Sequence, residues 1–409
     1  MSRTHVRGAC PGLSAPMETG DGLLVRLMPA GPIPLDAFID LCEAARAHGN
    51  GTTEISARGS LQVRGLTPLS APRFAGAVAA LAIDLCQGVP VLADPLPDDP
   101  AALIDANSIA AALRRAVAGA GLSLAPKVSV VVDGGGRLSL DALFADIRLR
   151  AVATTEGPKL YLALAGDAAS ATPLGVIAKD QAVDAVLVLL TLIAARGPEA
   201  RAADMLGAQA SRSGNGTAPI RTRSSAIGRH ALKDAAFAIG LGLAFGHAQA
   251  ETLAELARMA KTNGAGWARP APGRALLLGP LTEANATVTK QAAAGLGLVT
   301  EPSDPRRRIA ACPGAPACAH GLIAARALAA EIARHVPLSG DGIAIHISGC
   351  AKGCAHPKAA PLTIVGTAQG CGIVRNGSAQ STPSAYADQA DLLAELGRIM
   401  GRTREAAHA

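Results

Sequence analysis

Four cysteines in the C-terminal third of this 409-residue chain have the type and spacing to do chemistry. Cys312 and Cys318 stand in ACPGAPACAHG with five residues between them, and Cys350 and Cys354 stand in HISGCAKGCAHP with three between them. Thiolates are soft ligands, and four of them suit a zinc ion or an iron–sulfur cluster. Structural zinc knuckles keep about two to four residues between paired cysteines. The wider first pair wraps one face of a cubane more readily, so the spacing favours a [4Fe–4S] cluster, with zinc or ordinary free thiols as the alternatives. The neighbouring glycines and Pro313 keep both loops open, which lets backbone N–H groups point at cluster sulfurs and tune the potential. Cys10, Cys42, Cys86 and Cys371 lack such partners. Cys42 and Cys86 sit on apolar faces and read as core residues, and Cys10 reads only weakly as a ligand. His320, His346 and His356 neighbour the cluster cysteines. His346 alternates with apolar residues in a strand and suits a core or supporting role as well as ligation. His356 precedes a proline on a loop, within reach of a metal. His320 reads as the start of a helix.

The elements that must position these groups are duplicated. GPIPLDAFIDLCEAARAHGNG, from Gly31, lines up with GHAQAETLAELARMAKTNGAG, from Gly246, at a constant offset of 215. Both copies read as amphipathic helices with apolar residues three and four apart, ending near a glycine. An apolar strand precedes each, and a short arginine-bearing strand follows, EISARGSLQVRGL in the first copy and GWARPAPGRALLLGPL in the second. Arg58 and Arg274 fall at equivalent places. More weakly, PKVSVVVDGGG pairs with DGIAIHISGCAKG, each an apolar strand running into a glycine-rich turn. The expected architecture is α+β: a ferredoxin-like half-module over 15–70, an α+β module without a cluster over 100–205, a Gly/Ser/Ala-rich linker over 206–230, a second half-module over 231–300 and a cluster-binding module over 305–403.

Composition sets the outer bounds. The chain is 49% hydrophobic but only 2% aromatic, so Ala, Leu, Val and Ile must pack a large core. The net charge of +6 is mildly basic. The arginines read as scattered, which argues against a nucleic-acid arm and suits a small polyanionic ligand. The start of the chain lacks the apolar core of a signal peptide, and the apolar stretch AVDAVLVLLTLIAARG is too short to span a bilayer, so it reads as a buried helix. The expected setting is a reducing cytoplasm, where clustered cysteines more often bind metal than pair. No G-x-G-x-x-G opens a βαβ unit and no P-loop is present, so nicotinamide electrons from NADH are expected to arrive through a separate reductase.

With these motifs in place, the chain resembles the sirohaem nitrite and sulfite reductases, a family with the same C-x5-C and distant C-x3-C on a duplicated chain. The resemblance implies that Cys312, Cys318, Cys350 and Cys354 hold a [4Fe–4S] cluster round a central tetrapyrrole cleft. The family's T-x-R-x-x-x-Q motif is met by SARGSLQ, with Arg58 and Gln62, and its K-x-K motif by PKVSV. There Lys127 matches, but Ser129 replaces the second lysine, and the family's further active-site arginine has no match in DPLPDDPAALIDANS. Small oxyanions need several positive groups to bind and react, so these departures weaken a sulfite-reducing role.

Three blocks, RGACPGLSAPMETGDGLLVRL, GNGTTEISARGSLQVRGL and HISGCAKGCAHPKAAPLTIVG, most resemble the precorrin-3B synthases of aerobic cobalamin synthesis. That resemblance implies O2-dependent hydroxylation of precorrin-3A at C20 with γ-lactone formation, using the cluster and a non-haem iron. The tetrapyrrole is then substrate. A macrocycle rich in carboxylates needs arginine and lysine at its rim. Arg58 and Lys127 are the expected catalytic residues, and Arg58, Gln62, Arg64, Lys127, Arg269 and Arg274 the expected substrate-binding set.

Overall fold

The computed structural model describes residues 11–206, 221, 224–336, 338 and 342–392. Cys10, most of the expected linker and the end of the last module lie outside the described residues. Four five-stranded sheets are present among them. The first is ordered β1 (Met17–Thr19), β2 (Gly22–Leu27), β5 (Leu61–Leu66), β4 (Thr52–Ile55) and β13 (His247–Gln249). The third is ordered β11 (Gly228–Ala231), β12 (Phe237–Gly242), β15 (Ala275–Leu281), β14 (Trp267–Ala271) and β3 (Ile33–Pro34). Each half therefore donates the short strand before its helix to the other half's sheet: β3 pairs with β14, and β13 pairs with β4. Strand β11 begins inside the stretch expected as linker.

The helices α1 (Leu35–His48) and α5 (Ala250–Thr262) pack together between these sheets. Phe38, Leu41 and Cys42 of the first and Leu253, Leu256 and Ala260 of the second join one core. Burying each such large side chain stabilises the fold by about 1.5–3 kcal/mol, so the exchange of strands is backed by a shared apolar interior. The remaining core helices of this pair are α2 (Ser70–Ala80) and α6 (Glu283–Gly295).

The other two sheets share one topology. One is β6 (Val91–Leu92), β7 (Val130–Asp133), β8 (Ala145–Thr154), β9 (Gly157–Gly166) and β10 (Thr172–Ile177). The other is β16 (Ile309–Ala311), β17 (Ile345–Ser348), β18 (Ala360–Thr367), β19 (Gly370–Gly377) and β20 (Ala385–Ala387). In both, the first three strands run parallel and the last two return antiparallel. Helix α3 (Ala106–Gly119) crosses between β6 and β7, and α7 (Ala325–His335) crosses between β16 and β17. Val130 and Ile345 open their strands 215 residues apart, the offset of Leu35 and Ala250.

Four expectations change. The arginine-bearing segment after each repeat helix is a hairpin and not one strand. Gly59 and Gly273 take φ of +84°, and Arg274 takes φ of 62°, which reverses the chain inside an otherwise apolar run. Arg58 and Arg274 thus sit in turns. Helix α4 (Ala182–Ala194) buries Ala182, Val186, Leu190 and Ile193 but leaves Val188 and Leu192 exposed, so it is half-covered, not buried. No helix among the described residues is long and apolar enough to cross a membrane. His320 lies in an exposed turn, and α7 begins only at Ala325. Cys42 is core, while Cys86 is only half-buried.

Candidate cluster site and tetrapyrrole cleft

Parallel pairing brings the four cysteines together. Cys312 follows β16 directly, and Cys350 lies just past β17, so both loops leave the same ends of adjacent strands, the usual place for a ligand in such sheets. The Cys312 N–H donates to the Ile347 carbonyl at 3.2 Å, and the Gly349 N–H points at Cys312 Sγ at 3.0 Å. Burial, then the charges of Cys350 and Cys318, push the Cys312 thiol up. Desolvation, then Cys312, Cys350 and Cys318, do the same to Cys354. Four thiolates this close repel one another unless a cationic centre holds them. Among the described residues no three His, Cys, Asp or Glu side chains close round a single ion. Four cysteines on two adjacent loops, with the Gly349 N–H aimed at Cys312 Sγ, fit a cluster, whose sulfurs accept such hydrogen bonds.

The first half-module reaches this site. The Ala319 N–H donates to the Gly20 carbonyl at 2.7 Å, and a Cβ on Gly20 would lie 2.2 Å from Cys318 Sγ. Gly20→Ala is therefore expected to displace Cys318 and lower cluster iron and sulfide per chain while the fold persists; normal iron content in that variant would remove Gly20 from the cradle. In the first half, the loop equivalent to that of Cys350 carries no thiol. There Asp133 accepts from Arg221 at 2.5 Å, and Arg221 also donates to the Gly136 carbonyl at 3.0 Å.

Beside the cysteine loops opens a cleft of about 1140 Å³. Ala57, Leu138–Leu140, Ala142 and Leu143 from the first half wall one side, and Leu243, Phe245, Pro272–Arg274, Arg306–Ile309 and His356 from the second half wall the other. Four arginines line it, Arg274, Arg306, Arg307 and Arg308, and no Asp or Glu does among the described residues. The two hairpin turns meet at its edge, where the Gly273 N–H donates to the Ala57 carbonyl at 3.0 Å. Arg274 donates to the Ala355 carbonyl on the cysteine loop at 3.1 Å, and burial lowers its pKa. Gly246 leaves room for it, since a Cβ there would lie 2.7 Å from Arg274 Cδ.

The other expected residues are spread out. Arg58 crosses to the first α+β module, donating to the Phe144 carbonyl at 2.6 Å and to Ser129 Oγ at 3.4 Å. Lys127 is exposed in a turn before β7, outside the cleft lining. Arg64 is held by Asp21 at 2.7 Å and Glu54 at 3.2 Å; burial acts to lower its pKa, but the two carboxylates outweigh it and raise it. Gln62, with its amide turned to satisfy its neighbours, donates to Glu54 at 3.0 Å and accepts from Arg26 at 2.8 Å. Glu54 also binds Arg326 at the start of α7, so this network fastens the first sheet to the module that carries the paired cysteines. Arg269 is buried in β14 and donates to Asn107 at 2.9 Å, and burial pulls its pKa down to about 10.

His346 is wholly buried, with neither ring nitrogen paired, and His356 stands edge-on to it at 5.7 Å. Burial, then His356 and Arg274, pull the His346 pKa down to about 4, so it is neutral. Sequence reasoning missed Arg306–Arg308, although PRRR is the one dense run of arginines in the chain and lies just before Cys312.

Comparison with known proteins agrees with this arrangement. Residues 15–81 match the nitrite/sulfite reductase ferredoxin-like half domain. The solved NirA protein of Mycobacterium tuberculosis superposes with a TM-score of 0.70 at 18% identity, covering 92% of this chain and 80% of that one, which shows a shared fold. A precorrin-3B synthase from Sinorhizobium sp is 40% identical over 413 aligned positions, 98% of this chain and 90% of that protein. With that identity over almost its whole length, on a duplicated α+β fold with a basic cleft between its halves, the chain belongs to the precorrin-3B synthase family.

Proposed function

We propose that the chain catalyses O2-dependent hydroxylation of precorrin-3A at C20, with closure of the γ-lactone. The observation that carries this reading is the cleft. It is wide enough for a macrocycle, it is lined by four arginines without a carboxylate, and it adjoins the paired cysteine loops. Such a lining selects a large ligand bearing several carboxylates, since each acid finds a guanidinium and none meets a like charge.

The chain's own groups bind and orient. Leu138, Leu143, Phe245 and Ile309 offer apolar surface to the ring, and the arginines hold its acidic arms. Arg274 joins rim to cluster loop through Ala355, so a carboxylate held there is fixed relative to the cysteines. Arg58, next to the cleft-lining Ala57, belongs to the rim on the side of the first half, while Lys127 is exposed outside the lining. His356 lines the cleft, and burial lowers its pKa, so it meets the ligand as a neutral imidazole. Cys312, Cys318, Cys350 and Cys354 would hold a [4Fe–4S] cluster, which when bound would supply one-electron transfer beside the cleft. Hydroxylation puts one oxygen atom into the product and releases the other as water, so a donor must deliver electrons in pairs. NADH acting through a separate reductase suits a chain with no dinucleotide fingerprint. For a mononuclear iron, no three-donor set is gathered among the described residues.

The test is oxygen uptake by the holoprotein given a reductase and precorrin-3A. Uptake that depends on the tetrapyrrole, with a product one oxygen heavier, is expected. Oxygen use that ignores precorrin-3A would end this reading.

A further inference from the structure

We infer that Arg308 anchors a carboxylate of the tetrapyrrole, an assignment that rests on the substrate reading above. Arg306, Arg307 and Arg308 are consecutive on a short 3-10 turn, Pro305–Arg308, where successive side chains diverge by about a third of a turn. All three line the cleft, but their donors are spent differently. Arg306 clasps Asp304 at 2.6 Å and donates to the Gly297 carbonyl at 2.7 Å. Arg307 donates to the Pro302 carbonyl. Arg308 keeps Nε and Nη1 buried, and neither has a partner among the described residues.

A buried guanidinium N–H without an acceptor is costly. Arg114, Arg221 and Arg326 each leave one such nitrogen among the described residues, whereas Arg308 leaves two and also lines the cleft. The position is built. The Arg308 carbonyl accepts from Ala344 at 2.8 Å, which pins the residue between the starts of β16 and β17. Four residues later the same backbone presents Cys312. Arg308 is thus set at a fixed place relative to the cluster loops, facing a lining with no competing carboxylate. The class of ligand that meets these needs is a large, flat, apolar molecule with carboxylate arms.

The probe is uroporphyrin, an octacarboxylate tetrapyrrole, followed by fluorescence anisotropy with the anaerobically purified full chain. Arg308→Ala is expected to raise the Kd about tenfold or more, the loss of one charge-assisted hydrogen bond. Its melting temperature should stay level or rise, because no protein partner is lost. Arg306→Ala, which abandons Asp304, should instead lower the melting temperature. Arg308→Lys keeps the stem and the charge but not the planar fork. It should bind more weakly than the native protein, and it carries the test if the alanine variant folds poorly. Native binding with both Arg308 variants unchanged would overturn the role of Arg308 and leave the substrate class standing. Failure of the native protein to bind uroporphyrin would overturn both.

Discussion

Serine in place of any one of Cys312, Cys318, Cys350 or Cys354 is expected to leave the purified protein without an intact cluster. The measurement is iron and acid-labile sulfide per chain. Serine keeps the shape of the side chain but offers a hard, protonated oxygen where a soft thiolate is needed. The structure explains why no neighbour can substitute. The four thiols project from two loops whose spacing is set by the parallel pairing of β16 with β17, and burial with the neighbouring cysteines pushes the Cys312 and Cys354 thiols up. Cys371 is buried in β19 and Cys42 in α1, so neither can swing in. Oxygen uptake with precorrin-3A should fall to background in all four variants. Full iron and sulfide in every variant would remove the cluster assignment.

Sulfite should not be a substrate. The protein purified without air is expected to show the broad shoulder of a cluster and none of the sharp bands of sirohaem. After exposure to sirohaem, its sulfite turnover should remain far below ~1 s⁻¹, the low end for enzymes. A small oxyanion needs several cations converging on one point. Here Ser129 replaces one lysine, and its hydroxyl accepts from Arg58 at 3.4 Å. Lys127 is exposed and outside the lining. The cleft arginines instead come from two places, Arg274 on the hairpin turn and Arg306–Arg308 on the 3-10 turn, which suits the separate arms of a macrocycle. Turnover at ~1 s⁻¹ or more would favour the reductase alternative.

Local pattern carried much of this molecule. The repeat at an offset of 215 announced the duplication, because the same apolar spacing must build the same helix twice. The cysteine spacing marked two ligand-type loops, since such loops are short and contiguous in sequence, and the structure sets both at the ends of adjacent strands. Family likeness was legible for the same reason, in three blocks that each bear on one loop. Hairpin turns were not legible: apolar arms on both sides of Arg58 and Arg274 read as a single strand, and only the backbone angles at Gly59 and Gly273 separate them. Nor could sequence say which arginines are spent. Arg64 met the pattern, yet Asp21 lies 43 residues away in the chain and takes its charge. Arg306 and Arg308 are alike in type and two residues apart, yet Asp304 occupies one and nothing among the described residues occupies the other. Residue type and spacing determine what a side chain can do. Availability depends on partners brought from distant parts of the chain, so the tertiary structure alone decided it.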